Sequence, residues 1–151
     1  MPFKILYVDD DKFMRSFFST YFEEKYELTL SESAEEAGDL LLNSLNPDLI
    51  LLDLVLPEKD GETFLNEIKA NKQLSLIPVL ILSGTDKSET RIKMFKIGAE
   101  DFIVKPFNPM ELEIKIEKLL SRQAKLIHSS ENFNTNYNSE DKSSRYTSNF
   151  C

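Results

Sequence analysis

The chain has 151 residues, 41% of them hydrophobic and 29% charged, with a formal net charge of -8. That length buries one core of ordinary domain size rather than two, and the acidic balance argues against the basic face that a broad contact with nucleic acid requires. The single cysteine, Cys151, and the single histidine, His128, fall beyond the last apolar run, which removes a disulfide framework, a cysteine-based metal site, a Ser-His-Asp triad and a two-histidine site from the folded body.

The opening residues Met1-Pro2-Phe3-Lys4 carry no extended apolar run with a cleavage site, and no stretch approaches a membrane span, so a soluble cytoplasmic domain is expected. The first apolar run, Ile5 to Val8, reads as a strand and ends on Asp9 and Asp10. Asp11 follows as the cap or first-turn acid of a helix. In that helix Phe13, Phe17 and Tyr21 stand beside Met14, Phe18 and Phe22 as two columns at i, i+4 spacing, a wide apolar stripe that reads as core and not as a cofactor box. Tyr26, Leu28 and Leu30 alternate with polar residues in the manner of an edge strand. Ser33 with Glu36 matches a capping box ahead of Ala37, Leu40 and Leu41.

The third run, Asp48 to Asp53, is apolar on both strand faces, which suits a central strand covered by helices on each side. The fourth, Ile77 to Leu82, ends on Ser83, and the fifth, Phe102 to Val104, ends on Lys105 and Pro106. Asn108, Pro109 and Glu111 then place a cap, a first-turn proline and an early acid before a helix bearing Leu112, Ile116, Leu119 and Leu120. Gly61, Gly84 and Gly98 fall where turns between elements are expected, and neither a GxGxxG nor a Walker-type loop is present. Apolar runs alternating with helical segments predict an α/β fold with five parallel strands and five helices.

After Ile127 the composition changes: residues 128 to 151 contain no Ile, Leu, Val, Met, Ala, Gly or Pro. A body over residues 1–125 followed by a polar, disordered tail or linker over 126–151 is therefore expected, with Phe133, Tyr137, Tyr146 and Phe150 as its docking-capable groups.

The chemistry lies at the strand ends. In an open parallel sheet ligands bind outside the carboxyl ends of the strands where strand order reverses, and in the order 2-1-3-4-5 the first and third strands flank that reversal. Asp9, Asp10 and Asp53 would then converge. Three close carboxylates repel one another and need a proton or a cation, and hard oxygen ligands select Mg²⁺ or a similar ion, which leaves positions open for phosphate oxygens. Solvated loop acids are the plainer reading of the same three residues. Ser83 and Lys105 would add a hydroxyl and an ammonium on the same rim, the groups that acyl-phosphate formation on an aspartate requires.

These segments together resemble the response-regulator receiver family: Tyr7-Val8-Asp9-Asp10-Asp11, Leu51-Leu52-Asp53-Leu54 through Pro57 and Asp60-Gly61, Ile81-Leu82-Ser83-Gly84, and Gly98-Ala99-Glu100-Asp101-Phe102-Ile103-Val104-Lys105-Pro106-Phe107. The match runs from about residue 3 to about residue 122. The resemblance implies a doubly wound, flavodoxin-like sheet in the order 2-1-3-4-5. It implies that Asp9 and Asp10 hold Mg²⁺, with Asp10 the direct ligand, that Asp53 is the phosphoacceptor and also a ligand, and that the main-chain carbonyl of Val55 completes the set. Ser83 resembles the hydroxyl that moves to the phosphoryl group, Lys105 the cation that pairs with it through a cis Lys105-Pro106 bond, and Phe102 the aromatic that swings inward. The plainer reading of Phe102 is an ordinary core phenylalanine. Phe102 lacks the hydroxyl that a tyrosine supplies at this place, and so cannot make the hydrogen bond of that group.

The implied partners are a sensor histidine kinase or phosphotransfer protein and a downstream target or covalently linked output domain, with a phosphorylation-dependent homodimer as a further expectation. The surface of the fourth and fifth strand-helix units is expected to respond. Neither nucleic acid nor membrane is expected to contact this segment directly. The chain is then a regulatory phosphoacceptor and not an enzyme beyond its own phosphorylation and dephosphorylation. Val55, two residues past Asp53, has no side-chain polar group to orient an attacking water, so slow dephosphorylation is expected. Three alternatives remain: a phosphate-independent pseudo-receiver binding module, the front of a longer enzyme or DNA-binding regulator, and an aspartyl-phosphate hydrolase. For the last, neither a substrate cap nor a second acid/base pair is evident.

Overall fold

In the computed structural model, which describes residues 2–125, each of the five apolar runs is a strand. The order along the chain is β1 (Lys4–Val8), α1 (Lys12–Phe22), β2 (Glu27–Ser31), α2 (Ala34–Leu42), β3 (Leu49–Asp53), α3 (Gly61–Ala70), β4 (Val79–Ser83), α4 (Ser88–Ile97) and β5 (Asp101–Val104). A fifth helix, α5, covers residues 109–125. Two units are distinguished, Met1–Leu120 and Ser121–Cys151. All five strands lie in the first, and of the second only residues 121–125, which are helical, are described. The expected tail over 126–151, with His128 and Cys151, lies outside the described residues.

The strands form one parallel sheet in the order β2-β1-β3-β4-β5, as expected. β3 and β4 are buried at every position, whereas β2, on an edge, is mostly half-buried. Alternation along the strands divides the core by sheet face. Leu6, Val8, Ile50, Leu52, Val79 and Ile81 pack toward α2, α3 and α4, with Ala37, Leu41, Phe64, Ile68 and Met94 among their partners. Ile5, Tyr7, Leu49, Leu51, Leu80 and Leu82 pack on the other side with Phe18 and Phe22 of α1 and Leu112, Ile116, Leu119 and Leu120 of α5. Each such side chain contributes about 1.5–3 kcal/mol by leaving water.

Caps fix where the helices begin, and therefore where the strand-end loops lie. The Asp11 carboxylate accepts from the Phe13 and Met14 amides, Ser33 Oγ from Glu36 N, and Asn108 Oδ1 from Met110 N. α4 closes on Gly98 at φ 128°, a left-handed conformation that disfavours any side chain.

The two aromatic columns of α1 do not share one fate. Phe18 and Phe22 are buried and Met14 half-buried, but Phe13 is 77% exposed, Tyr21 is exposed and Phe17 is half-buried. Reading the whole stripe as core is thus corrected for the column of Phe13, Phe17 and Tyr21. One sheet face covers about a third of the circumference of a helix, so only the column pointing at Tyr7 reaches it.

Candidate functional site

β1 and β3 lie side by side, so their carboxyl ends bring Asp9 and Asp10 next to Asp53. One oxygen from each of the three carboxylates falls within 4.8 Å of the others. Asp9 and Asp53 are buried and Asp10 is exposed. From the end of β5, Lys105 reaches both buried acids, its Nζ 2.9 Å from Asp9 Oδ2 and 3.1 Å from Asp53 Oδ2. The Lys105–Pro106 peptide bond is cis.

Further donors fill the remaining oxygens. Tyr7 Oη donates to Asp9 Oδ2 at 2.5 Å and the Asp11 amide to Asp9 Oδ1 at 2.9 Å. The Val55 amide donates to Asp53 Oδ1 at 3.2 Å. Arg15 Nη1 donates to the Asp9 carbonyl at 2.8 Å and thereby ties α1 to the end of β1. Ser83 closes β4 one position beyond Leu82, the register partner of Asp53. It is buried, and its Oγ accepts from the Thr85 amide. Phe102 is buried among Ala99, Met94 and Ile81, and the Arg91 guanidinium lies 5.6 Å from its ring centroid.

The two buried acids are driven in opposite directions. Burial pushes Asp53 up to about 6, with the Asp9 charge adding to the rise and Lys105 opposing it. Burial also works to raise Asp9, but the bonds from Tyr7, the Asp11 amide and Lys105 outweigh it and hold Asp9 below the usual range. Burial works to lower Lys105, and its bonds to the two carboxylates reverse this, so the ammonium is retained.

The response regulator receiver domain family matches residues 5–117. The chain belongs to that family. Among its relatives is the transcriptional regulatory protein SrrA of Staphylococcus aureus, 36% identical over 123 residues, which cover 81% of this chain and 49% of SrrA. The receiver thus spans about half the length of the curated relatives it matches. Among solved structures, the receiver domain of the Francisella response regulator 1452 is 37% identical at a TM-score of 0.73, covering 80% of this chain and 98% of that one. The Mn²⁺-bound form of response regulator Rcp1 is 29% identical at a TM-score of 0.66, covering 81% and 89%.

The donor set of this receiver suits a hard divalent cation: clustered carboxylate oxygens, an exposed acid at the mouth, and one ammonium balancing two buried charges. Asp9, Asp10, Asp53 and Lys105 are brought together, Ser83 stands on the adjoining strand end, and Phe102 lies inward beneath α4. Val55 approaches Asp53 through its amide, and the residue is 74% exposed. Sequence reasoning missed Tyr7 and Arg15. The period of two along β1 was a usable signal for Tyr7, since it places residue 7 on the face of Asp9. For Arg15 no local pattern was available, because its partner is a main-chain carbonyl.

Proposed function

We propose that this receiver is the phosphoacceptor of a two-component phosphorelay. The observation that carries the proposal is Lys105 bridging Asp9 and Asp53 where three carboxylates meet. Asp53 attacks the phosphorus of a phosphohistidine on a sensor kinase or phosphotransfer protein; the P–O bond of an acyl phosphate forms as the P–N bond breaks, and the imidazole leaves. Asp9, Asp10, Asp53 and the Val55 carbonyl would hold Mg²⁺, which neutralises charge on the phosphoryl oxygens when bound. Lys105 then exchanges Asp53 Oδ2 for a phosphoryl oxygen, and Ser83 donates its hydroxyl to another.

The transferred group adds charge and strong acceptors that only these residues can satisfy, so it biases the end of β4 and the start of α4. Phe102 occupies the space beneath α4 and reports that change to the β4-α4 and β5-α5 surface. A downstream protein, or a second copy in a phosphorylation-dependent homodimer, would read that surface. Beyond its own phosphorylation and dephosphorylation the domain turns over no substrate. Among the described residues no helix is long and apolar enough to cross a membrane.

Coverage of only 49% of SrrA favours a second reading of the whole protein, as the regulatory segment of a longer regulator with its output beyond residue 125. The deciding experiment is incubation with Mg²⁺ and a small acyl phosphate, followed by intact mass. Wild type gains one phosphoryl group and Asp53→Asn gains none. Equal mass gain in both would remove Asp53 from the role.

A further inference from the structure

Alternation along β1 sends Ile5 and Tyr7 to the face covered by α1 and α5, where Tyr7 is 1% exposed and its ring lies 4.5 Å from that of Phe18. A tyrosine so placed must find a partner for its hydroxyl, since a buried polar group without one costs about 1–3 kcal/mol. The partner is Asp9 Oδ2, at 2.5 Å. The same oxygen takes Lys105 Nζ at 2.9 Å, while the Asp11 amide binds Oδ1 at 2.9 Å. Oδ2 therefore has both in-plane lone pairs engaged and Oδ1 has one remaining.

We propose that the Tyr7 hydroxyl is a positioning group of the phosphoacceptor site: it holds the Asp9 carboxylate in one orientation, with Oδ2 against Lys105 and one lone pair of Oδ1 left open, and so sets the affinity the acidic cluster would have for Mg²⁺. This rests on the metal-dependent reading above. Asp9 is fully buried, so without the hydroxyl its only side-chain donor among the described residues is Lys105. The carboxylate then turns with the lysine, and the open lone pair of Oδ1 is no longer aimed. The hydroxyl matters again after phosphorylation. When Lys105 exchanges Asp53 Oδ2 for a phosphoryl oxygen, Tyr7 keeps its bond to Asp9 Oδ2 and holds that carboxylate in place. The Phe18 ring stacked on Tyr7 couples this brace to the packing of α1.

The test is a Mg²⁺ titration followed by the amide resonances of Asp10 and Asp11 in wild type, Tyr7→Phe and Tyr26→Phe, with phosphorylation by a small acyl phosphate measured at low and at saturating Mg²⁺. Tyr7→Phe keeps the ring and its stacking, and Tyr26 is a tyrosine of the same core away from the site, so Tyr26→Phe controls for removal of a tyrosine hydroxyl from that core. Removal of an outer hydrogen-bond partner of a metal-binding carboxylate weakens metal binding by about 10–100-fold. The expected result is a loss of about tenfold in Tyr7→Phe alone, with phosphorylation recovered at saturating Mg²⁺. Equal affinity in Tyr7→Phe and wild type, or an equal loss in Tyr26→Phe, overturns the inference while leaving the phosphoacceptor reading intact. Failure of wild type to bind Mg²⁺ overturns both, and the two failures are thereby distinguished.

Discussion

Asp53 is held in a conformation that its own charge opposes. Burial pushes its carboxyl up to about 6 from an ordinary 3.8, so between those values the folded state binds the proton that the unfolded chain has released. Stability therefore falls as pH rises through that window, and the full cost, on the order of 3 kcal/mol, is present above pH 6. Asp53→Asn removes the charge and keeps the shape. In EDTA at pH 7.5 the variant should melt above wild type, and the gain should disappear as the pH is lowered to 4; thermal melts across that range that show a constant difference would contradict the burial argument. In the proposed role the same charge is the nucleophile, so phosphorylation of wild type should decline below pH 6. Val55 makes a separate case. Its exposed isopropyl group offers an attacking water nothing to bind, and Val55→Asn should shorten the acyl-phosphate lifetime. An unchanged lifetime rejects that idea.

Element by element, the sequence was most legible where one periodicity decided the outcome. The five apolar runs became the five strands because each is too short for a helix and is bounded by polar residues, and Asp11, Ser33 and Asn108 mark helix starts through a local hydrogen bond. The stripe of α1 was not decided by local pattern, since Phe13 and Phe18 carry the same side chain and only the tertiary position of Tyr7 separates them. Phe18→Ala should cost about 3–5 kcal/mol in denaturant unfolding, and Phe13→Ala no more than about 0.5 kcal/mol. Equal losses would mean that the exposed column is packed after all. Gly61 is legible in sequence as a turn residue but needed coordinates for its reason. A Cβ there would stand 2.3 Å from the Asp53 carbonyl oxygen and 2.7 Å from Leu54 Cα. Gly61→Ala must therefore push α3 away from the end of β3, at a cost of about 1–3 kcal/mol, and carry Asp53 out of line. Loss of stability and of phosphoryl acceptance should appear together, and a variant that keeps both would show that the loop can yield.

At the scale of the molecule, parallel topology turns five scattered sequence positions into one site. Every strand points the same way, so every strand end lies on one rim, and the crossing from β1 to β3 leaves the crevice that Asp9, Asp10 and Asp53 share. The folded chain thus concentrates negative charge that the unfolded chain spreads out. A ligand that binds only the folded form stabilises it in proportion to the logarithm of its concentration, by about 2.7 kcal/mol at a hundred times its dissociation constant. For a domain of this size that is a rise in Tm of about 10 °C. Mg²⁺ should produce it in wild type, and Asp10→Asn, which removes the exposed acid at the mouth and leaves the buried pair with Lys105, should abolish most of it without lowering the melting point in EDTA. If Mg²⁺ shifts the two proteins equally, the cation binds elsewhere on the acidic surface, and Lys105, not a metal, balances the buried pair.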